Sequence, residues 1–409
     1  MGMRAGLHTL RVVAGSPALD RLGLRAPAEK ALRNFTRETV RTFTRVPGIG
    51  KPVRQPPARQ PDLFDLTPSD EQAMLVEALQ AFAQELRRRA KDADAACAPP
   101  DDLQDEVGIA LLGVPEQLGG LTEERSSVTG VLAAEALGHG DMGLATALLA
   151  PAGVAAALAR FGSSGQQATY LTAFTGQDVP TAALALLEPG ALFDPFDLKT
   201  TARDGHITGE KALVPLGASA DLLLVAANTQ DGPAAFIVEG PFETRPEPAM
   251  GIRAAATARV TFDAVPGELL CSGADYAELV DRARLAWCAL ALGGARAVLD
   301  YVIPYVNERR AFGEPISHRQ AVAFTVADIA IELEAMRLLT LRAATLIDRG
   351  EDAGHAVGLA RRLCAEKGAA IGSHGVQLLG GHGYVKEHPV ERWYRDLRAV
   401  GVIEGALAL

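Results

Sequence analysis

The sequence predicts an α+β protein that is mainly α, with a helical N-terminal domain, a small central β-barrel-like domain and a C-terminal four-helix bundle. Two long segments carry apolar residues at helical spacing, and between them lie short apolar runs separated by Asp-Gly turns. Apolar residues make up 48% of the chain and charged residues 22%, proportions typical of a globular protein. Heavy use of Ala and Leu, with only 5% aromatic residues, favours helix over strand.

Four regions follow from these patterns. Residues 1–64 are a basic N-terminal extension ending in a Pro- and Gly-rich linker, RVPGIGKPVRQPPARQPD. We expect the helical domain over residues 65–185, the β domain over residues 186–275 and the bundle over residues 276–409. Apolar side chains of a candidate amphipathic helix in the extension are Leu32, Phe35, Val40 and Phe43. Such a helix would lie on an anionic surface or a partner, or fold back on the acidic body.

Local signals mark several boundaries. Thr67 or Ser69 is suited to cap the first helix of the N-terminal domain, because acidic residues and a helical apolar pattern follow it. In the central domain, Asp204-Gly205 and Asp231-Gly232 separate short apolar runs, which is typical of β-hairpins.

The clearest helix of the bundle lies between residues 317 and 350. Ser317 is a candidate cap at its start, and Gly350 is expected to end it. The apolar stripe along this helix consists of Val322, Val326, Ile329, Leu333 and Met336.

Charge and cysteine usage restrict the class of protein. The net charge is -10, but residues 1–64 carry 12 Lys and Arg against 4 Asp and Glu, a balance of +8 that leaves -18 on residues 65–409. The acidic body argues against nucleic acid as a partner.

Four dispersed cysteines without a C-x-x-C pair fit a reducing cytoplasm rather than a disulfide framework or a zinc site. The uncharged run Met142–Ala159 is long enough for a membrane span, but its Ala, Gly and Pro content favours a buried helix pair.

None of the common catalytic signatures is present: there is no G-x-S-x-G, no Walker loop, no G-x-G-x-x-G after a strand and no H-E-x-x-H. His374, His382 and His388 lie close in sequence, but their spacing fits no ligand pattern, so we expect no metal site. The glycines after residue 379 indicate a turn between helices, or a loop that approaches a ligand closely.

Three segments of the last third resemble those of the acyl-CoA dehydrogenases. ERRAFGEPISHRQAVAF is similar to their R-x-x-F-G-x-x-I segment, QLLGGHGYVKEHPVERWYRDLR to their Q-x-x-G-G-x-G-Y and E-R-x-Y-R-D segment, and MGIRAAATARVTFDAVP to their G-x-R strand region. The resemblance covers about residues 66–405. It implies an FAD-dependent enzyme of fatty acid and lipid metabolism that takes an acyl-CoA and passes electrons to an electron-transfer flavoprotein.

The resemblance assigns roles residue by residue. The implied FAD-binding residues are Arg309, Phe312, Gln320, Gln377, Gly380, Gly381, Glu188, Leu213 and Pro215. Arg309 would reach across a subunit interface to the FAD pyrophosphate, for which a permanently charged fork is suited. Asp281 and Arg284, at the family's D-x-x-R pair, would hold the CoA portion of the substrate. Because FAD is shared between neighbours, a homodimer or homotetramer is implied, and a hetero-oligomer stays open.

The resemblance also assigns the base that removes the substrate's α proton. Glu404 in VIEGA matches the Glu-Gly of the family's Y-E-G-T segment. In the family reaction this base acts while a hydride passes from Cβ to flavin N5. Some members carry the base on the D-x-x-R helix, where this chain has Ala283, which cannot serve. We expect an apolar, water-excluded setting for Glu404 because its flanks are apolar, and such a setting suits a general base.

The central domain departs from the family pattern. Leu187 and Phe193 replace a Thr and a Ser, and the family's W-I-T, which shields the flavin and bonds N5, reads Leu213, Val214, Pro215. Sequences of the family continue into a further helix beyond the point where this chain ends. Truncation of this sequence after Leu409 would explain the difference. A second hypothesis is therefore a non-catalytic or half-site subunit that completes a partner's FAD site. A third is a membrane-surface protein that uses the basic N-terminus.

Overall fold

The computed structural model describes residues 67–103, 108–120, 126–176 and 178–405. The chain divides into two units, Met1–Leu63 and Phe64–Leu409, and every described residue belongs to the second. The amphipathic helix expected in the basic extension lies outside the described residues. In the described part the elements follow the predicted order of helices, strands and helices.

Four α-helices begin the described part: α1 (Asp70–Ala96), α2 (Ser127–Gly140), α3 (Met142–Phe161) and α4 (Ser164–Tyr170). Helix α1 starts where the sequence predicts. Of the two candidate caps Ser69 is the one used, since its hydroxyl accepts a hydrogen bond from the Gln72 N–H at 3.2 Å. The Gln72 side chain accepts in return from the Ser69 N–H at 3.0 Å, which completes a capping box.

Helix α3 contains the uncharged apolar run Met142–Ala159. By length and composition it could cross a bilayer, as could the later helix Gly273–Glu308, but 89% and 78% of their most apolar windows are buried inside the protein. Asp141 caps α3, and its carboxylate accepts from the Leu144 N–H at 3.0 Å. The apolar composition of α3 is therefore explained by packing in the core.

The central domain is one mixed eight-stranded sheet: β1 (Ala182–Ala185), β2 (Thr201–Arg203), β3 (His206–Val214), β4 (Leu222–Thr229), β5 (Gly232–Glu239), β6 (Glu243–Pro246), β7 (Ala258–Pro266) and β8 (Glu268–Ser272). The strand order is β6-β7-β3-β2-β4-β5-β8, and β1 pairs with β4. Both predicted hairpins are confirmed. Asp204 and Gly205 join β2 to β3 with φ of 50° and 74°, while Asp231-Gly232 lies in the turn from β4 to β5.

Strand β1 begins before the position where the sequence indicated the change from helix to strand. All four of its residues are buried, and it runs parallel to β4, with Ala182 opposite Leu222. A strand covered on both faces shows no alternation of apolar and polar residues, so a short Ala-rich strand reads like the end of a buried helix.

The C-terminal part contains four helices and one small hairpin: α5 (Gly273–Glu308), β9 (Arg310–Ala311), β10 (Glu314–Pro315), α6 (Gln320–Asp348), α7 (Gly354–Leu379) and α8 (Val390–Ala399). Ser317 does not cap α6, contrary to the prediction. It lies inside a short 3-10 helix, and Arg319 stands at the cap position without a side-chain bond. Gly350 does follow the helix end, with φ of 67°.

Helix α5 is the central element of the bundle, packed between α2 and α7, with α6 against both α5 and α7. The crossing with α2 is close because Gly293 has no side chain. A Cβ at Gly293 would lie 2.3 Å from the Glu135 carbonyl oxygen and 2.5 Å from the His139 backbone nitrogen. Helices α2 and α5 can therefore keep this distance only with glycine at that position.

Charged residues of the E-R-x-Y-R-D segment tether α8 to the rest of the fold. Arg392 donates from Nε to the buried carboxylate of Asp141 at 2.9 Å, so the residue that caps α3 also anchors α8. Arg395 donates from both terminal nitrogens to Asp94 on α1, each at 2.9 Å. These contacts fix α8, and with it the start of the segment that carries Glu404.

Asp396 connects α8 to the central domain. Its carboxylate is buried and accepts from the Ile252 N–H at 2.6 Å. Burial, with the nearby Asp141 carboxylate, raises the pKa of Asp396 to about 8. An unfolded Asp has a pKa of about 3.9, so the folded state binds this proton more tightly. The free energy of unfolding therefore loses this contribution as the pH rises from about 4 to about 8.

We expect the free energy of unfolding of Asp396→Asn to increase relative to that of the wild type as the pH rises. The amide keeps an acceptor for Ile252 and carries no charge, so the variant should gain about 1 kcal/mol or more on the wild type between about pH 5.5 and pH 8.5. Chemical denaturation at both pH values measures this. Asp263→Asn, an exposed position on β7, is the control; equal pH dependence in both variants would contradict the assignment.

A matched glycine pair tests the α2–α5 crossing. Gly293→Ala places a methyl group against backbone atoms that cannot move without separating the helices, so we expect a loss of about 1–3 kcal/mol. Gly358→Ala, on exposed α7 surface with nothing within 4 Å of the added Cβ, should be neutral or stabilising by about 0.5–1 kcal/mol. The midpoints of thermal unfolding compare the two, and equal midpoints would show that the crossing is not tight.

Candidate active site

The carboxylate of Glu404 meets the guanidinium of Arg284. Arg284 lies on α5, and its Nε is 3.1 Å from Oε2 and 3.3 Å from Oε1, while its Nη2 is 3.2 Å from Oε1. The Glu404 side chain is 14% exposed. The predicted base and one member of the predicted CoA-binding pair therefore form one cluster.

The surroundings of Glu404 are cationic, so the expected apolar setting is wrong. A second guanidinium, that of Arg361 on α7, has Nη2 at 3.7 Å from Glu404 Oε1. The flanking residues Ile403 and Gly405 are buried, whereas the carboxylate points to the two arginines. Apolar neighbours in sequence did not predict the setting, because the groups around the side chain come from distant helices.

The backbone on both sides of Glu404 is held by side chains. Arg361 Nη2 donates to the Ile403 carbonyl at 2.5 Å, and Trp287 Nε1 donates to the Gly405 carbonyl at 2.8 Å. Gly405 has φ of 76°, and a Cβ there would lie 2.5 Å from Cβ of Leu186. Glycine after the glutamate is thus required by both conformation and packing.

Asp281 lies one helical turn before Arg284 on α5. Burial raises the pKa of Asp281 to about 6, against the opposing effect of the Arg284 charge; the carboxylates of Asp352, Glu278 and Glu404 raise it further. Ala283 between them is fully buried and has no titratable group. A carboxyl that titrates near neutral pH can donate or accept a hydrogen bond, which suits an amide-bearing ligand.

Three of the residues expected to bind FAD are exposed. Arg309 ends α5, and within the part of the chain that the structure describes its guanidinium has no hydrogen-bond or ion-pair partner. Phe312 is 96% exposed at the tip of the β9–β10 hairpin, where Phe312 and Gly313 have φ of 56° and 85°. Gln320, also exposed, begins α6. The three residues are therefore available to a group from outside the chain.

Gln377, Gly380 and Gly381 are also exposed, at the end of α7. A Cβ added at either of these glycines would meet nothing within 4 Å, so neither is needed for packing. Gly383 is different, because its Cβ would lie 2.2 Å from the Val376 carbonyl oxygen. The turn interpretation fits Gly383 through its packing and Gly380 through its φ of 58°, while the backbone of both Gly380 and Gly381 is exposed.

Two of the three nearby histidines stabilise this turn. His382 Nδ1 is 2.9 Å from the Tyr305 hydroxyl, and His388 Nδ1 is 2.7 Å from the Tyr301 hydroxyl. The two imidazole rings stack with centroids 5.4 Å apart. Across the described ranges no group of three or more His, Cys, Asp or Glu side chains is arranged to hold a metal ion.

Glu188 points into the protein. Its carboxylate accepts from the Lys199 and Thr200 backbone N–H groups at 2.7 and 2.9 Å and from Lys211 Nζ at 2.8 Å. Burial raises the pKa of Glu188, but the stronger combined effect of Lys211 and these hydrogen bonds lowers it overall; burial lowers the pKa of Lys211 to about 8. The pair is ionised, and Glu188 is engaged in shaping the turn after β1.

The end of β3 offers few hydrogen-bond donors. Leu213, with φ of 50°, donates its N–H to the Glu247 carboxylate at 2.9 Å, and Pro215 is buried and has no N–H. The Leu216 N–H is used by the Ala255 carbonyl at 2.9 Å. These backbone groups therefore do not replace the Thr hydroxyl and the Trp indole that the family's W-I-T provides at this position.

Sequence reasoning missed Arg361, Trp287 and Lys211. Arg361 and Trp287 hold the backbone around Glu404, and Lys211 neutralises Glu188. Arg361 and Trp287 lie outside the motifs considered, whereas Lys211 lies two residues before Leu213, in the segment compared with the family's W-I-T. The burial of Lys211 could not be inferred from its strand, HITGEKALV, because that strand also carries Glu210 and other polar residues.

An apolar cavity of about 480 Å³ lies between α2, α3 and the end of α6. Small side chains dominate its walls, and Arg160, Arg282 and Asp348 are polar groups in its lining. The lining includes neither Glu404 nor Arg284. This cavity and the carboxylate cluster are therefore separate features of the described surface.

Comparison with known proteins identifies the family to which this fold belongs. The family model for the acyl-CoA dehydrogenase N-terminal domain matches residues 69–178 of this sequence, and the family model for the C-terminal domain matches residues 274–408. The short-chain specific acyl-CoA dehydrogenase of Rattus norvegicus mitochondria is 33% identical over 325 residues, which is 73% of this chain and 77% of that protein. Cyclohex-1-ene-1-carbonyl-CoA dehydrogenase of Geobacter metallireducens is 32% identical, over 82% of this chain and 95% of that one.

A solved structure has the same architecture. Butyryl-CoA dehydrogenase from Megasphaera elsdenii superposes with a TM-score of 0.75 at 27% identity, covering 83% of this chain and 95% of that one. The family match spans both helical parts, and relatives above 30% identity cover more than two thirds of the chain. The chain therefore belongs to the acyl-CoA dehydrogenase family, whose members are FAD-dependent oxidoreductases that act on CH–CH groups.

Proposed function

We propose that this protein dehydrogenates the Cα–Cβ bond of an acyl-CoA thioester, with Glu404 as the base that takes the α proton. The observation that supports this most directly is the contact of Glu404 with Arg284, one turn after Asp281. FAD, when bound, would supply the oxidant that takes up the hydrogen and two electrons leaving Cβ. Glu404 would take the α proton, which leaves the substrate with a Cα–Cβ double bond.

The ion pair leaves Glu404 able to act as a base. A carboxylate has about four lone-pair positions. The Arg284 guanidinium makes two contacts with Oε1 and one with Oε2, which leaves a position on Oε2 to accept a proton. The positive charges of Arg284 and Arg361 lie 3.1 and 3.7 Å from the Glu404 carboxylate. In the proposed reaction they would therefore be near the negative charge that develops on the thioester after α-proton removal. Preorganised positive charge at such a place lowers the barrier to proton abstraction.

Asp281 and Arg284 are proposed to hold the CoA portion. Asp281 is partly buried and titrates near neutral pH, so its carboxyl can pair with an amide of the substrate. The simpler interpretation, an ordinary surface pair on a helix, fits less well because Arg284 is paired with Glu404 across 120 residues and not only with its own helix.

The exposed residues fit the pyrophosphate and adenine parts of FAD. Arg309 offers a guanidinium that is unpaired among the described residues, Phe312 an exposed ring, and Gly380 and Gly381 open backbone. All of them face outward, which supports binding of FAD between two copies of the chain in a homodimer or homotetramer. We further propose a cytoplasmic location and an electron-transfer flavoprotein as the electron acceptor.

A half-site subunit is the second candidate function. Glu188 is saturated, the Leu213 N–H is used by Glu247, and Pro215 has no N–H, so the side of the site expected to hold the flavin ring offers little. The exposed half is intact. Such a chain would complete a partner's FAD site without a complete flavin site of its own.

Replacement of the base separates cofactor binding from chemistry. Glu404→Gln should keep FAD bound but slow the anaerobic bleaching of the flavin by about 10²–10⁴-fold, because the amide cannot accept the α proton. The measurement is stopped-flow absorbance with a panel of esters from butyryl-CoA to palmitoyl-CoA. Glu77→Gln, exposed on α1, is the control, and bleaching at the wild-type rate by the Glu404 variant would place the base elsewhere.

FAD content decides between the two candidate functions. Expressed alone, the chain should purify with FAD if it is an enzyme in its own right. Arg309→Gln should weaken FAD retention about tenfold or more through loss of a charge-assisted contact, while the exposed neighbour Arg310→Gln should not. A colourless chain that takes up FAD only when co-expressed with a second subunit would instead support the half-site function.

A further inference from the structure

We propose that Arg361 is a positioning residue that fixes the backbone of the Glu404 segment and thereby the direction of its carboxylate. This proposal rests on Glu404 as the base. Arg361 lies on α7, more than 40 residues from Glu404 in sequence, and its side chain is 12% exposed. No motif of the chain assigns it a role.

One nitrogen of Arg361 serves two parts of the segment. Its Nη2 donates to the Ile403 carbonyl at 2.5 Å and lies 3.7 Å from Glu404 Oε1. The first contact is to backbone and holds whether or not the carboxylate moves. The second is a charge interaction just beyond hydrogen-bond distance, so it orients Glu404 without occupying a lone pair.

Trp287 provides the matching contact on the other side. Its Nε1 donates to the Gly405 carbonyl at 2.8 Å, and Gly405 lies so close to Leu186 that an added Cβ would be 2.5 Å from the Leu186 Cβ. The carbonyl groups before and after Glu404 thus accept hydrogen bonds from the largely buried Arg361 and the fully buried Trp287. With its backbone fixed at two points, Glu404 retains only its side-chain torsions, which limits the volume that the carboxylate can explore.

The arrangement of Arg361 is poor for stability alone. Its Nη1 is buried and, among the described residues, has no hydrogen-bond partner. A buried guanidinium with an unpaired donor costs free energy relative to an apolar side chain of similar size. Control of the Glu404 segment is a reason for keeping it, because a reacting group displaced by about 1 Å can lose about 10² in rate.

The test compares Arg361→Met, which removes the charge and the donors, with Arg361→Lys, which keeps both in a different shape. Arg362→Met, exposed on the next position of α7, is the matched control. We expect Arg361→Met to lower kcat by about 10–10² with KM changed less than about twofold, and Arg361→Lys to recover part of the loss. Hydrogen–deuterium exchange of the full chain should be faster over residues 400–405 in Arg361→Met only.

The kcat measurement and the hydrogen–deuterium exchange measurement can each contradict the proposal. If Arg361→Met alters neither kcat nor exchange relative to Arg362→Met, or lowers kcat without faster exchange, Arg361 does not position the segment. Faster exchange with unchanged kcat would also overturn the proposal. If Arg361→Met does not fold, Trp287→Phe, which removes the bond to Gly405, should give the same split between kcat and KM. Wild-type bleaching by Glu404→Gln would refute the proposed base, while the exchange result would still report on the segment.

Discussion

Arg284 and Glu404 are 120 residues apart in the chain, yet their side chains meet at 3.1 Å. The contact requires α5 and the segment after α8 to be placed independently and accurately. Helix α5 is placed by its close crossing with α2 at Gly293, and α8 by the buried bond between Arg392 and Asp141. The geometry of the carboxylate cluster therefore depends on packing and buried charge well outside it, which is why few of its determinants are near Glu404 in sequence.

Features with a local cause were predictable from the sequence. The Ser69 cap and the Asp204-Gly205 hairpin depend on a few neighbouring residues, and both are confirmed. Ser317 failed as a cap because it lies inside a 3-10 helix, Ile316–His318, that precedes α6. Glu404 was found through a family motif, but its cationic setting comes from α5 and α7 and could not be inferred from its apolar flanks.

The two halves of the expected FAD site differ in how their polar groups are used. On the outward half, Arg309 and the open glycines have capacity to bind, and their counterpart in an oligomer would be another chain. On the inward half, Glu188 and the Leu213 N–H are committed to Lys211 and Glu247. Because these groups already have partners, this side of the expected site would offer a flavin ring apolar contact but few hydrogen bonds.

A base beside two arginines works differently from one in an apolar pocket. In a pocket without counter-charges, desolvation makes the carboxylate more basic, and the negative charge that then forms on the substrate has no partner. In the proposed reaction one carboxylate lies beside two guanidinium groups, so these three side chains carry excess positive charge before the proton is transferred. Once Glu404 is protonated, Arg284 and Arg361 would keep their positive charge and would interact with the thioester. The interaction energy lost at Glu404 would then be regained at the substrate, provided that the substrate's negative charge forms within a few ångströms of the same guanidinium groups and that Glu404 cannot turn away.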